Sequence, residues 1–484
     1  MRLIDRLLIW AAEEDIQIVG NPKSRAINGF SINTQTLQPD EIFIALQGTK
    51  QDGHDFVEEA LSKGAGGAMV SRAWFASHPH LGASHFMVVV DDPLAGLQSL
   101  AKWDRRAFNG PVIGITGSNG KTTTKEMLVK ILQRRGSVLK TEGNLNNHIG
   151  LPLSILGLKK EDTVAVLEMG VSRPGDMRLL CEIAKPTVGI ITNIGPAHLE
   201  HLGSVEGAAP LAGVASEKGV LFETIASNGI AIINQDDPYL SKWSQTVSQK
   251  WTYSVEGDAD VTASEIEQRG NGISFTLTLN RNHSGGGGKM KVILSLVGNH
   301  QVYNALAAAT AALALGYEFD EIRSALREVR PAPLRGELIE WGGATILLDA
   351  YNANPASMKV GIQTLAEYGG GEHARKVAIL GDMLELGDAA KALHKEIGKK
   401  VAEHRIDRLI AVGKFSEVVA CGAAGAGMSK TAISTYKYIE SIDLENEIQK
   451  GDVVLIKGSR GMQMERLLTL PKETFTLCAK GASR

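Results

Sequence analysis

The run Gly117-Ser118-Asn119-Gly120-Lys121-Thr122-Thr123 combines residue types that together handle a polyphosphate. Small residues let backbone N–H groups close around an anion. A lysine can reach the outer phosphates, and the hydroxyl of Thr122 can hold a magnesium ion. Magnesium takes oxygen ligands, and Glu168, at the end of the apolar run Thr163 to Leu167, is the natural partner of Thr122. A carboxylate at such a place can also cap the next helix, and the residues alone leave both readings open. His198 follows a second apolar run, Val188 to Asn193, just past Gly195, where a histidine is either structural or catalytic. Lys218 stands alone between His198 and Lys242, and a solvated helix residue is its default reading. Nearer the N-terminus, Lys50, Asp52, Gly53 and His54 form a polar cluster at a strand-to-helix loop. That cluster reads equally well as a ligand contact or a solvated turn.

The elements that position these residues follow from periodicity. Val112 to Thr116 predicts a buried strand. Gly117 to Gly120 predicts a turn, and Lys121 onward, through Met127, Val129 and Leu132, predicts a helix. The usual phosphate-loop pattern wants glycine five residues before Gly120, where Ile115 stands, so the loop is a variant. Around it the chain divides into three regions. Residues 1–100 hold strands at Glu41 to Gln47, Gly67 to Val70 and Phe86 to Val90, with a connecting helix at Leu94 to Phe108. Residues 101–330 hold the phosphate loop, further buried strands, an alternating pair (Ile273 to Leu279, Lys291 to Leu296) that reads as antiparallel, and an Ala-rich helix at Gln301 to Leu315. Residues 331–484, after Pro331-Ala-Pro333, restart the alternation with strands at Ala344 to Leu348, Lys376 to Leu380, Arg408 to Val412 and Asp452 to Ile456. The expectation is an α/β protein of three domains: a central, mostly parallel sheet of P-loop ATPase type with an added antiparallel part, and a Rossmann-like C-terminal domain.

Length and composition agree. A chain of 484 residues suits roughly three ordinary domains. It is 43% hydrophobic and 22% charged with a formal net charge of −3, which gives no electrostatic case for nucleic acid or membrane. No apolar run is long enough to span a bilayer, and the N-terminal stretch from Leu3 to Ile9, broken by Asp5 and Arg6, reads as an amphipathic helix rather than a signal peptide. Cys181, Cys421 and Cys478 are far apart with no metal spacing, which points to a reducing, cytoplasmic setting.

Several motifs together resemble the Mur ligases of bacterial cell-wall synthesis, over almost the whole chain. They are Asp52-Gly-His-Asp-Phe56, Thr116-Gly-Ser-Asn-Gly-Lys-Thr-Thr123, Gly143-Asn-Leu-Asn-Asn-His-Ile-Gly150, Leu167-Glu-Met-Gly170, Thr192-Asn-Ile-Gly-Pro-Ala-His-Leu-Glu200 and Gly298-Asn-His-Gln-Val-Tyr-Asn304. Further along come Arg335-Gly336, Asp349-Ala-Tyr-Asn-Ala-Asn-Pro355, Leu380-Gly-Asp-Met-Leu-Glu-Leu-Gly387 and Lys457-Gly-Ser-Arg-Gly461. The Tyr-Asn-Ala-Asn-Pro and Asp-Gly-His pieces point to the branch that adds D-alanyl-D-alanine to UDP-N-acetylmuramoyl-tripeptide. The Asp-Asn-Pro-Arg stretch of the ligase adding the third residue is absent. Folylpolyglutamate synthetase shares the three-domain plan and the loop, and a non-catalytic nucleotide-binding relative is the remaining alternative.

The resemblance implies an ADP-forming, ATP-dependent ligase in which a substrate carboxylate attacks the γ-phosphate and the amine of the dipeptide then displaces phosphate from an acyl phosphate. It implies two Mg²⁺ ions. Thr122 and Glu168 would hold one, His198 would help hold the other, and Lys218 would be a carbamylated lysine. Lys121, His198 and Lys218 are the implied catalytic set. ATP would be bound by the loop from Gly117 to Thr123 together with Asn304, Arg335 and Asp349. The implied substrate contacts are Thr34, Asp52, Gly53, His54, Asn144, Asn146 and Asn147, with Tyr351, Asn352, Asn354, Lys457, Ser459 and Arg460 in the third domain. The first domain would take the UDP part, and a monomer is expected. Two departures stand out. Asn33-Thr34-Gln35 replaces the Asp-Ser/Thr-Arg usual in the family, and the segment between His198 and Lys218 is longer than expected, with the extra residues at Val205 to Pro210.

Overall fold

Apolar strand runs, punctuated by glycine turns and amphipathic helices, build three sheets that follow one another along the chain. The computed structural model describes residues 2–21, 27–197, 199–202, 210–225, 229–247, 249–281, 288–369 and 374–469. In the first sheet, Met87–Val90, Gly67–Ser71, Glu41–Ile44 and Gly29–Ser31 lie parallel in that order, with Gln17–Val19 antiparallel on the edge beside Met87–Val90. All four residues of Met87–Val90 are buried, as expected of a strand covered on both faces.

The helix Pro93–Arg106 leaves this sheet with Asp92 as its cap, proline in its first turn, and Arg105 and Arg106 in its last turn against the helix dipole. Its inner residues Leu97, Leu100 and Ala101 belong to one apolar core that runs from Trp10 and Ile42 to Leu151 of the helix Gly150–Leu156 and Leu167 of the second sheet. Fully burying each large side chain is worth about 1.5–3 kcal/mol, so this helix splints the first two sheets together. The same helix carries Asp104, only 6% exposed, in an ion pair with Arg6 of the N-terminal helix Leu3–Glu13. Burial pushes the Asp104 carboxyl up to about 6 against the opposing pull of Arg6.

The second sheet has nine strands. Its parallel part runs Ser137–Lys140, Asp162–Glu168, Val112–Thr116, Val188–Ile191, Ile230–Asn234 and Lys250–Ser254, and Val261–Arg269 continues it in parallel. Val261–Arg269, Gly272–Leu279 and Gly288–Leu294 then form an antiparallel meander, the added part expected from their alternating residues. The helix His300–Ala314 is buried along most of its length, because its alanines let it sit close to the sheet.

The third sheet orders Glu337–Trp341, Ala344–Asp349, Val453–Lys457, Lys376–Leu380, Arg408–Val412 and Ile433–Tyr436, all parallel but the first. The edge hairpin turns on Gly342 and Gly343, both at positive φ (+58° and +79°), as a two-residue hairpin turn requires. Asp382, buried just beyond Lys376–Leu380, accepts hydrogen bonds from the N–H groups of Lys414 (2.7 Å) and Phe415 (3.0 Å), ahead of the helix Ser416–Gly425. Gly413 between these parts has φ of +117°, and a Cβ there would come within 2.4 Å of Asp382 Oδ2. Among the described residues no helix is long and apolar enough to cross a membrane.

Candidate active site

The strand Val112–Thr116 is buried throughout and lies between Val188–Ile191 and Asp162–Glu168, so its C-terminal end opens at the middle of the sheet. The loop that follows is locked from one side. Ser118 N–H donates to Asn193 O (3.0 Å), Asn119 N–H to Asn193 Oδ1 (3.1 Å), and Thr192 Oγ1 and Asn193 Nδ2 both donate to Asn119 O (2.5 and 3.1 Å). Ser118 Oγ exchanges bonds with the backbone of Gly195 at 2.8 and 2.9 Å. Gly117 has φ of +142° with Thr192 Oγ1 1.9 Å from where a Cβ would sit, and Gly120 has φ of +83° with Asn304 Oδ1 at 2.3 Å, so both positions admit only glycine. Gly120 caps the helix Lys121–Leu132, whose free N–H groups point out of the loop. Lys121 Nζ rests on Gly117 O at 2.9 Å. Burial holds its amino group below the ordinary lysine value; Glu168 opposes that shift and Arg335 adds to it.

Thr122 Oγ1 donates to Glu168 Oε2 at 2.8 Å, and Asn146 Nδ2 donates to Glu168 Oε1 at 2.9 Å. Glu168 is 2% exposed and its N–H is taken by Thr141 Oγ1 at 3.0 Å. A hydroxyl and a carboxylate thus converge at the mouth of the loop, a hard-oxygen pair of the kind Mg²⁺ accepts alongside phosphate oxygens and water. Among the described residues no three His, Cys, Asp or Glu cluster as a metal cage. His198 and residues 205–209 of the expected insertion at Val205 to Pro210 lie outside the described residues, and Pro210 opens the helix Pro210–Thr224.

Lys218 is not a solvated residue. It lies on the helix Pro210–Thr224 at 2% exposure, and burial, with the nearby charge of Lys121 adding and Glu217 opposing, takes its amine down to about 7. Charge alone could not separate this lysine from a surface one; its burial is a tertiary fact.

The other residues singled out fall into groups. Asn304 reaches the loop from below, with Oδ1 accepting from Thr124 Oγ1 (3.4 Å) and Nδ2 donating to Gln301 Oε1 (3.0 Å). Thr123 is half-buried in the first turn of the loop helix, and Asn144 is exposed, its carbonyl accepting from Asn146 N–H at 2.8 Å. Asn147 Oδ1 accepts from Ile149 N–H (3.1 Å) and Gly150 N–H (2.9 Å), just ahead of the helix Gly150–Leu156. From the third sheet, Arg335 stacks on the Tyr351 ring at 3.8 Å. Asp349 Oδ2 accepts from the buried Lys457 Nζ at 2.5 Å, and Asn352 O accepts from the same nitrogen at 3.0 Å. Asn354 Nδ2 donates to Asn119 Oδ1 at 2.8 Å, which brings the third sheet onto the phosphate loop. Ser459 is buried with its hydroxyl on Ala353 O (3.3 Å), and Arg460 is paired with Glu465 (2.5 Å) on the surface.

The first-sheet residues form a separate group. Asp52 Oδ1 accepts from His54 N–H (2.9 Å) and holds His54 Nδ1 (2.7 Å), while His54 Nε2 accepts from Ser71 N–H at 3.0 Å. Both ring nitrogens are therefore engaged inside the domain. A Cβ on Gly53 would meet Leu46 backbone atoms at 2.6 Å, and Thr34 O accepts from Lys63 Nζ at 3.1 Å. Sequence reading placed Thr192 and Asn193 in a motif without giving either a role, and it missed Thr141. All are short polar residues next to strand ends, and only the sheet order brings them to the loop.

Comparison with known proteins gives consistent matches. Three family models fit successive stretches: the Mur ligase family catalytic domain over residues 26–103, the Mur ligase middle domain over 115–312 and the Mur ligase glutamate ligase domain over 334–460. UDP-N-acetylmuramoyl-tripeptide–D-alanyl-D-alanine ligase of Bacillus subtilis is 36% identical over 96% of this chain and 98% of its own length. The enzyme of the same name from Escherichia coli is 35% identical over 93% and 95%. Among solved structures, MurF from Acinetobacter baumannii superposes with a TM-score of 0.81 at 31% identity, covering 95% of this chain and 97% of that one. MurF ligase from Thermotoga maritima in complex with ADP gives 0.77 at 31%, covering 93% and 97%.

Proposed function

The chain belongs to the Mur ligase family, and from that premise we propose how its residues carry out the reaction. The protein is an ATP-dependent ligase that joins D-alanyl-D-alanine to UDP-N-acetylmuramoyl-tripeptide, a step of peptidoglycan synthesis and cell wall biogenesis. In our reading residues 1–100 take the UDP end of the acceptor, 101–330 bind ATP, and 331–484 bring the amine. The tripeptide carboxylate attacks the γ-phosphorus of ATP. A carboxyl O–P bond forms, the β–γ bridging P–O bond breaks and ADP leaves. The amine nitrogen of the dipeptide then attacks the acyl carbon, loses its proton, and inorganic phosphate departs as the amide bond forms.

The chemical demand is to bring a carboxylate to a phosphate and to stabilise the charge spread over the transferred group. Lys121 and Arg335 supply cations, and the helix start at Gly120 supplies N–H donors. Thr122 and Glu168 are the residues we assign to a Mg²⁺ ion, which when bound neutralises phosphate charge. A second ion, with His198 and a carbamylated Lys218 as ligands, rests on the family resemblance. What supports the carbamate in this chain is the buried amine at about 7: a neutral amine attacks CO₂, forms an N–C bond and releases one proton, and the product is an oxygen ligand. We take the protein as a cytoplasmic monomer on the family resemblance, and the free Cys181 and Cys421 suit a reducing compartment.

The observation that carries the reading is the Thr122–Glu168–Asn146 set at the mouth of a glycine-locked loop that also receives Arg335 and Asn354 from the third sheet. The test is phosphate release with ATP, UDP-N-acetylmuramoyl-tripeptide and D-alanyl-D-alanine, leaving out each in turn. Sustained turnover should require all three, and release that ignores the dipeptide would refute the ligase reading.

A further inference from the structure

The turn Tyr351-Asn-Ala-Asn354 is tied to the protein through its backbone and through Asn354, while the Asn352 side chain is exposed. Asn352 O is held by Lys457 Nζ at 3.0 Å and Ala353 O by Ser459 Oγ at 3.3 Å, which ties the turn to the end of the strand Val453–Lys457 beneath it. Asn354 is 9% exposed and caps the helix Pro355–Glu367: its Oδ1 accepts from Ser357 N–H at 2.8 Å and its N–H donates to Ser357 Oγ at 3.0 Å. Because Oδ1 is fixed by the cap, the end left to face the second sheet is the Nδ2 donor. It meets Asn119 Oδ1 at 2.8 Å, across 235 residues of sequence. The backbone of Asn119 is in turn pinned by Thr192 and Asn193. Two residues further on, Ala356 Cβ lies 3.6 Å from where a Cβ on Gly195 would sit, so the helix start abuts the segment after the strand Val188–Ile191 that buttresses the loop. At the other end of the turn, the Tyr351 ring is the shelf on which the Arg335 guanidinium stacks at 3.8 Å, and the charge of Arg335 is felt by Lys121.

We propose that this turn is a clasp that positions the ATP machinery from the third domain, with Asn354 holding the phosphate loop through Asn119 and Tyr351 holding Arg335. Asn354 and Tyr351 are thus positioning residues rather than contacts for the dipeptide or the tripeptide. The inference rests on the ligase reading and makes it more specific. An enzyme built this way links the seating of the amine-bearing domain to the geometry of the loop that presents ATP.

Asn354→Ser separates the two roles of this residue, since serine still caps a helix but cannot reach Asn119. One hydrogen bond corresponds to roughly three- to ten-fold, so Asn354→Ser should lower kcat/KM for ATP by about that factor. KM for D-alanyl-D-alanine and for the UDP-linked tripeptide should stay within about two-fold of wild type. The double variant Asn119→Ala with Asn354→Ser should be no worse than Asn119→Ala alone, the mark of a shared contact. Tyr351→Leu against Tyr351→Phe repeats the test where no helix cap is at stake: the phenyl ring keeps the shelf, so KM for ATP should rise at least about three-fold further in the leucine variant. A rise in KM for either peptide substrate matching the loss on ATP, additive effects in the double variant, or equal behaviour of the two Tyr351 variants overturns the clasp. All are read relative to wild type, whose own need for three substrates tests the ligase reading independently.

Discussion

Glu168→Gln removes one charge from the site while keeping its shape, and the structure says what each half of the result should be. The carboxylate accepts from Thr122 Oγ1 and Asn146 Nδ2 at 2.8 and 2.9 Å. Glutamine can still accept from Thr122, and its NH₂ group then meets Asn146, whose amide can turn over to present oxygen. Two bonds to a charged acceptor, about 1.5–3 kcal/mol each, become neutral ones of about 0.5–1.5. Relief from burying a charge at 2% exposure offsets that loss, so folding stability should move by no more than about 1 kcal/mol. Activity should not be spared. A carboxylate that would hold the cation neutralising the developing phosphate charge is worth about 3–4 kcal/mol, or roughly 10²- to 10³-fold in kcat/KM for ATP. The assay is phosphate release with all three substrates, repeated across a Mg²⁺ titration, beside a thermal melt. The half-saturating Mg²⁺ concentration should rise. Glu168 also holds up the Lys121 amine against burial and Arg335, so its loss should move the alkaline limb of the pH profile to lower pH. Activity within ten-fold of wild type at an unchanged Mg²⁺ requirement would show that Glu168 only props Thr122 and Asn146, and the metal assignment would fall.

Two further predictions concern buried charges. The Lys218 amine, near 7 where an ordinary lysine lies near 10.5, becomes neutral as pH rises through 7, so stimulation by bicarbonate in CO₂-stripped buffer should grow from pH 6 to pH 8. A carbamate resonance should appear with ¹³C-bicarbonate and vanish in Lys218→Ala; no resonance and no response at pH 8 would exclude the carbamate. Arg6→Ala leaves the Asp104 carboxylate buried without its cation, an expected loss of about 3–5 kcal/mol. Because the folded-state value of Asp104, about 6, lies above its ordinary 3.8, the folded form holds the proton more tightly and stability falls as pH rises through that window. The deficit in a denaturant melt should therefore be larger at pH 8 than at pH 5.

What could be read from the sequence was local. The loop strand and helix stand where glycine spacing and apolar periodicity put them, at Val112–Thr116 and from Lys121. Lys376–Leu380 and Arg408–Val412 likewise match their apolar runs. The edge strands Gln17–Val19 and Glu337–Trp341 escaped because they are short or partly exposed, with no continuous apolar run to mark them. Within the site, residue type identified Thr122 and Glu168 as a pair, since both stand at predicted strand or helix ends. It could not tell that His54 has both nitrogens engaged, nor that Lys218 is buried, because the packing responsible comes from distant segments. The bond between Asn119 and Asn354 depends on how two sheets are set against each other, which no spacing along the chain encodes.

The carboxylate of Asp382 has a consequence for ligand stoichiometry. The crevice beyond the carboxyl ends of parallel strands, where a loop leads into a helix, is the place at which α/β sheets accept phosphate. In the second sheet that place is lined by N–H groups facing outward. In the third, the amides of Lys414 and Phe415 already receive the chain's own anion, and the left-handed glycine beside them leaves no slack to admit another. A phosphate arriving there would meet a buried negative charge. Two nucleotide-type sheets therefore amount to a single seat for ATP, which the third domain serves from outside, through Asn354 and Arg335, without competing for the phosphate.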